Sequence, residues 1–395
     1  LRKRPRTPEA LSIKEEAPLS SNDAPLGIVL SGGGARAAYQ VGALKALVPY
    51  FKRSNQPIRV VVGSSIGALN GLLLSAVIKN GYESAIDELD SLWRERTFRN
   101  TFKGSPSQAF LRAIRMGVLQ YLSPGPKPTE TAIFDPSPLR NRLDSVINQY
   151  GGLSTEQRDP NLWAVAVMTT IEGSTRKPLL FASTHSPLDS DTLRGASFEI
   201  SYVENMTAQH GFASAALPSV LPPVELDTER GRVRLVDGGI SQNIPVDPAA
   251  RLGAERVIVV DVSGRNWWLD HFNEAHDTRP SWEVPADFET FCVRPPETFV
   301  SRCQHGLGTL LRSVANKSTK QFISAVGPTW PVFQLLKRKL GEEVAYEAMT
   351  YVALDPDYIQ GLIELGYNET RSLLRARDEI EFSQKSSYAE TITTI

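Results

Sequence analysis

Short aliphatic and β-branched runs recur at 26–30, 58–62, 162–168, 179–182, 232–236 and 256–260, separated by stretches in which apolar residues return every three to four positions. Runs of this length and composition predict strands, and their alternation with helical patterns predicts an α/β fold around a mostly parallel sheet. Between the first two runs, Ala37, Ala38, Val41, Leu44, Leu47 and Val48 recur at helical spacing, and Pro49 predicts the helix end. Residues 66–78 are nearly all small or apolar, which predicts a helix buried on all sides. Residues 83–150 read as helical around a Pro-rich break at 123–128. Those beyond 300 read as a mainly helical C-terminal extension without a repeat period.

Two stretches depart from this rhythm. Residues 1–24 are polar, with Arg2, Lys3, Arg4 and Arg6 followed by Glu9, Glu15 and Glu16, and read as a disordered tail. Residues 264–298 hold Trp267, Trp268, Phe272, Trp282, Phe288 and Phe291 among prolines and acids. They read as an irregular cover segment, with packing of a connection as the plainer alternative. The expected division is a tail at 1–24, a principal α/β domain at 25–263, and the cover with the helical extension at 264–395.

Composition narrows the partners. The 395 residues carry 43 Lys+Arg against 44 Asp+Glu, a net charge of −1, which offers no bulk attraction to nucleic acid. With 41% hydrophobic and 22% charged residues the chain is globular in composition. No run of eighteen apolar residues occurs, so membrane contact is expected to be peripheral. Lys337-Arg338-Lys339 could meet anionic lipid but reads first as an exposed basic turn. Cys292 and Cys303 supply neither a disulfide framework nor, with the histidines, a zinc spacing. A reducing, cytoplasmic setting is therefore expected; the chain starts at Leu1, so secretion behind a removed leader is the alternative.

Three motifs carry chemistry. Gly32-Gly33-Gly34-Ala35-Arg36 follows a strand and opens a helix, where glycine N–H groups and a helix N-terminus can hold an anion. That anion is either a dinucleotide pyrophosphate or the oxyanion of an attacked ester. A dinucleotide site needs an acidic residue ending the next strand, and here that strand ends in Gly63-Ser64-Ser65 instead. Gly63-Ser64-Ser65-Ile66-Gly67 has the G-x-S-x-G form of a nucleophile elbow, again between strand and helix. Asp237 ends the run at 232–236 and precedes Gly238-Gly239, so it offers a carboxylate base at a strand end. Each motif alone is also compatible with a structural turn. None of the five histidines sits in a strand-end motif, His271 coming nearest.

Taken in order, these motifs resemble the patatin-like phospholipase family, bacterial-type acyl hydrolases in particular. Ala213-Ser214-Ala215-Ala216-Leu217-Pro218, the later Pro222-Pro223, and Asn243-Ile244-Pro245-Val246 are similar to that family's surroundings, and the likeness covers about residues 25–263. It implies a three-layer modified α/β-hydrolase fold and a Ser-Asp dyad needing neither metal nor cofactor. Ser65 would be the nucleophile, Asp237 the base, and Gly32, Gly33 and Gly34 the oxyanion hole. Gly63, Gly67, Gly238 and Gly239 would support the turns, and Arg36 would hold the loop or bind a substrate phosphate. The substrates implied are phospholipids, lysophospholipids or neutral lipids, with Trp267 to Phe272 as a candidate cover over the acyl chain. Without a histidine the two side chains must touch directly, on neighbouring strand ends, and the carboxylate serves best if burial raises its pKa. A lipid-binding regulatory module and an NAD-binding oxidoreductase are the alternatives.

Overall fold

A computed structural model describes residues 24–54, 56–104, 132–173, 175–263, 288–295, 307–374, 380 and 382–384. The expected tail at 1–24, the Trp267 to Phe272 stretch with His271, and Cys303 lie outside these residues, apart from residue 24.

The predicted runs become β1 (Leu26–Leu30), β2 (Ile58–Ser64), β3 (Ala164–Ile171), β4 (Pro178–Thr184), β7 (Gly231–Asp237) and β8 (Arg256–Val260). Four strands lie outside the predicted runs: β5 (Glu199–Tyr202), β6 (Val224–Thr228), β9 (Glu289–Val293) and the two-residue β10 (Ser383–Gln384). They join one mixed sheet of order β10-β9-β8-β1-β2-β3-β4-β5, with β7 on β3 and β6 on β7. From β9 to β3 all pairings are parallel. The β9 strand revises the irregular reading of 264–298, because Phe288 and Phe291 are buried against the sheet rather than in a free loop.

Strand alternation sends side chains to opposite faces, and both faces are covered. Ile28, Leu30, Val61, Val165 and Ile258 enter a large core under the helices. Val29, Val60, Val62, Ala166 and Val259 enter a smaller one. The thick face carries α1 (Ala38–Ser54), α2 (Ile66–Val77), α3 (Tyr82–Arg94) and α5 (Ser137–Gln149); α4 (Phe98–Thr101) adds one turn, and α6 is Ala208–Ser214. The thin face is covered largely by α7 (Val246–Arg251). As predicted, α2 is buried along nearly its whole length.

Pro49 does not end α1, which continues to Ser54. The carbonyl left without its N–H partner is that of Lys45, on the exposed side of the helix, where water can replace the lost bond. The extension is helical as expected: α8 (Leu307–Lys317), α9 (Thr319–Val326), α10 (Trp330–Leu340), α11 (Glu342–Met349) and α12 (Pro356–Leu373). Helix α12 lies along α1, with the α12 backbone close enough to Gly42 and the α1 backbone close enough to Gly366 to exclude a Cβ at either. Lys337-Arg338-Lys339 forms the last turn of α10 rather than a loop, where cations complement the helix C-terminus.

One register detail positions the site. Strand β2 pairs with β3 up to Ser64 opposite Met168, and β7 comes down the same edge of β3 to end with Asp237 opposite Thr169. The two strands therefore meet end to end, and their C-terminal residues leave the sheet at consecutive positions of β3.

Candidate active site

Ser65 lies between the end of β2 and the start of α2 with φ 52° and ψ −131°, a conformation rare for any residue with a Cβ. Holding it there costs about 1–3 kcal/mol, which the surrounding sheet and helix must offset. Gly63 and Gly67 flank this elbow. Its backbone N–H donates to Ser214 Oγ at 2.8 Å, and the Ser214 hydroxyl, at the buried end of α6, donates onward to the Met168 carbonyl.

Ser65 Oγ donates to Asp237 Oδ2 at 2.6 Å. The second oxygen, Oδ1, accepts from the Gly239 N–H at 2.7 Å, which is the turn after Asp237 seen in the sequence. Ala216 O accepts the Asp237 N–H, and Thr170 Oγ1 donates to the Asp237 carbonyl, so the residue is fixed from both neighbouring segments. Burial drives the Asp237 pKa up to about 6, against the lowering effect of the bonds from Ser65 and Gly239. That places a carboxylate base closer to neutral pH than an exposed Asp could be.

The glycine loop abuts the serine. A Cβ on Gly32 would lie 2.7 Å from Ser65 Cβ, so only glycine permits this approach. The Gly32 N–H donates to Asn243 Oδ1 at 3.1 Å, which leaves the N–H groups of Gly33 and Gly34 as the loop's donors without a partner among the described residues. Gly34 has φ +57°, and its backbone is pressed against the Tyr351 carbonyl. Below the loop, Trp93 Nε1 donates to Asn70, Asn70 Nδ2 to Gln40, and Gln40 Nε2 to the Ser31 carbonyl, a buried chain through α3, α2 and α1.

Arg36 is 1% exposed, neither on the surface nor presented to solvent. Its guanidinium donates to Glu347 Oε1 at 2.7 Å and to Thr350 Oγ1 at 2.7 Å, reaches the Ser263 carbonyl at 3.3 Å, and lies 3.8 Å from the Tyr351 ring centroid. The adjacent Ala35 N–H donates to Tyr351 O at 2.8 Å. The loop is thus held by the end of α11 and the residues after it. Sequence reading missed Glu347, Thr350 and Tyr351 because no local pattern marks a contact across more than 300 positions. Ser214 and Asn243 stand inside the quoted segments, but neither spacing nor residue type gave them a role.

The two described histidines are placed elsewhere. His185 is exposed, and His210 is held with its pKa down to about 4 by burial, its Nδ1 accepting from the Thr207 N–H in a helix cap. A cavity of about 270 Å³ lined by Pro57, Ile58, Ile78, Lys79, Tyr82 and Asp159 opens at the other end of β2 and holds no serine, cysteine or histidine. Among the described residues no three His, Cys, Asp or Glu side chains gather as a metal site, and no helix is long and apolar enough to cross a membrane.

Residues 28–250 match the profile of the patatin-like phospholipase family. Patatin-like phospholipase domain-containing protein 7 of Mus musculus is 25% identical over 260 residues, which cover 62% of this chain and 15% of that protein. Neuropathy target esterase sws of Drosophila melanogaster is 27% identical over 257 residues, covering 62% of this chain and 14% of that one. The chain therefore spans about 15% of the length of the curated relatives it matches. Among solved structures, human GIVD cytosolic phospholipase A2 aligns over 91% of this chain and 62% of its own, at 12% identity and a TM-score of 0.38.

Proposed function

Because the chain belongs to the patatin-like phospholipase family, we propose that it is a serine acyl hydrolase, cleaving ester bonds of phospholipids, lysophospholipids or related lipids through an acyl-enzyme on Ser65. The observation that carries this reading is the 2.6 Å bond from Ser65 Oγ to Asp237 Oδ2 at a strained elbow.

In the first step Ser65 Oγ attacks the ester carbonyl while its proton passes to Asp237 Oδ2. The carbonyl oxygen becomes an oxyanion facing the N–H groups of Gly33 and Gly34, with the N-terminus of α2 adding a positive end. When the intermediate collapses, the C–O bond to the alcohol breaks, and Asp237 returns its proton to that oxygen. Water then attacks the acyl-serine carbonyl and gives a proton to Asp237; the C–O bond to Ser65 breaks, Asp237 passes that proton to Ser65 Oγ, and the fatty acid leaves. Asp237 alternates between base and acid, which its raised pKa suits.

Gly32, bonded to Asn243, positions the loop rather than donating to substrate, and Arg36 clamps it from the extension side. An apolar route for the acyl chain is supported by a small cluster apart from the two cores: Ala35, Phe98, Phe134 and Leu354, with Val220 and Leu221 against it. Ala35 directly follows the glycine loop, so this cluster begins where an ester carbonyl would sit.

The test is hydrolysis across a phospholipid, a lysophospholipid, a triacylglycerol and a short-chain ester, with fluorophosphonate labelling alongside. We expect turnover of at least one ester class and a label on Ser65, both lost in Ser65→Ala. Lipid binding without turnover or labelling would instead favour the binding-module reading.

A further inference from the structure

Residues 307–340, which form α8, α9 and α10, contain Arg312, Lys317, Lys320, Lys337, Arg338 and Lys339 and not one Asp or Glu. In a chain of net charge −1 this is a concentrated basic block, and all six side chains are exposed. Arg312 and Lys337 share Glu342 at 3.6 and 2.8 Å, whereas Lys317, Lys320, Arg338 and Lys339 make no ion pair among the described residues.

Helices α9 and α10 also expose large aliphatic side chains. Ile323, Val332, Leu335 and Leu340 are 39–57% exposed, four of the eight large hydrophobic side chains, aromatic ones included, that are exposed among the described residues. On α10 only Phe333 is buried, against Phe322 of α9 at 4.9 Å between rings. Val332, Leu335 and Lys339 follow at i, i+3 and i+7, so apolar groups and cations share one outward stripe. On α9, Lys320 and Ile323 stand three apart in the same way.

We propose that α8, α9 and α10 dock on an anionic phospholipid bilayer through their exposed cations and the exposed aliphatic side chains of α9 and α10. Cations attract the charged headgroups, and the aliphatic side chains between them enter the boundary beneath. Nucleic acid would use the charges but gain nothing from exposed Val332 and Leu335, and a second copy would set six like charges against their equals. Docking also reaches the site: α10 packs on α11, which carries Glu347, and Ala325 of α9 accepts the Leu354 N–H beside the apolar cluster. The inference rests on the acyl-hydrolase reading for its purpose, but the docking itself needs no turnover.

The test is flotation of the full chain with vesicles of phosphatidylcholine alone and mixed with phosphatidylglycerol, in low and high salt, each with Ser65→Ala in parallel. We expect binding to the mixed vesicles only, weakened by salt and equal in Ser65→Ala. The triple variant Lys320→Gln, Arg338→Gln, Lys339→Gln should lose at least about tenfold in partitioning, given roughly fivefold per surface charge. Val332→Ser with Leu335→Ser should lower binding as well, while melting temperatures stay near that of the parent. Unchanged binding in both variants, or equal binding to pure phosphatidylcholine, would overturn the proposal. So would equally tight binding to duplex DNA, or a concentration-dependent dimer abolished by Leu335→Ser. Vesicle binding by a protein that turns over none of the four ester classes would leave the docking standing and remove the hydrolase reading.

Discussion

At the residue scale, the buried carboxylate of Asp237 has a cost that can be measured. Its pKa is about 6 in the folded protein and near 4 in the unfolded chain, so between those values the folded state binds more protons. Stability from this group is therefore present below pH 4 and is lost as pH rises through 6. Asparagine keeps the shape and can still accept the Gly239 N–H, yet it never ionises. Asp237→Asn is expected to be more stable than the parent at pH 7–8 by on the order of 1–3 kcal/mol, with the difference closing toward pH 4. Denaturant melts across that range decide the matter, and a variant less stable than the parent at pH 8 would show that the charged form is not penalised. Ser65, Asp237 and the glycines were legible because their chemistry lies in short local patterns at strand ends. Arg36 was half legible: its position was marked, but its partners come from the far end of the chain.

At the scale of elements, the glycine loop is held by residues outside the matched span of 28–250. Glu347 and Arg36 form a buried pair with side chains 8% and 1% exposed, and removing one charge leaves the other uncompensated. Glu347→Gln preserves the shape and the acceptor oxygen while removing that charge. It should cost about 3–5 kcal/mol of stability and, by loosening Gly33 and Gly34, lower kcat about tenfold or more with little change in KM. A fall in melting temperature with kcat intact would reduce the clamp to a structural tie. Long parallel strands were legible because both faces are buried and their runs are nearly all apolar. Strands β5 and β6 are half exposed and rich in polar residues, and β10 has only two residues, so no apolar run announced them. Strand β9 was hidden by the aromatic and acidic residues before it. The end-to-end meeting of β2 and β7 on β3 is a matter of register, which local sequence does not encode.

At the scale of the whole molecule, a net charge of −1 conceals an uneven distribution, with an acid-free basic block on three neighbouring helices. Two strand ends, one helix turn and a loop clamped from the C-terminal side converge on Ser65 and Asp237, and that convergence is the central claim. Its most direct test is the covalent intermediate. The protein is mixed with an activated acyl ester, quenched in acid during turnover, and its peptides are mapped by mass spectrometry. One acyl group on the peptide containing Ser65, absent from Ser65→Ala and greatly reduced in Asp237→Asn, is the predicted result. Turnover with the acyl group on another residue, or an undiminished Ser65 adduct in Asp237→Asn, would contradict it.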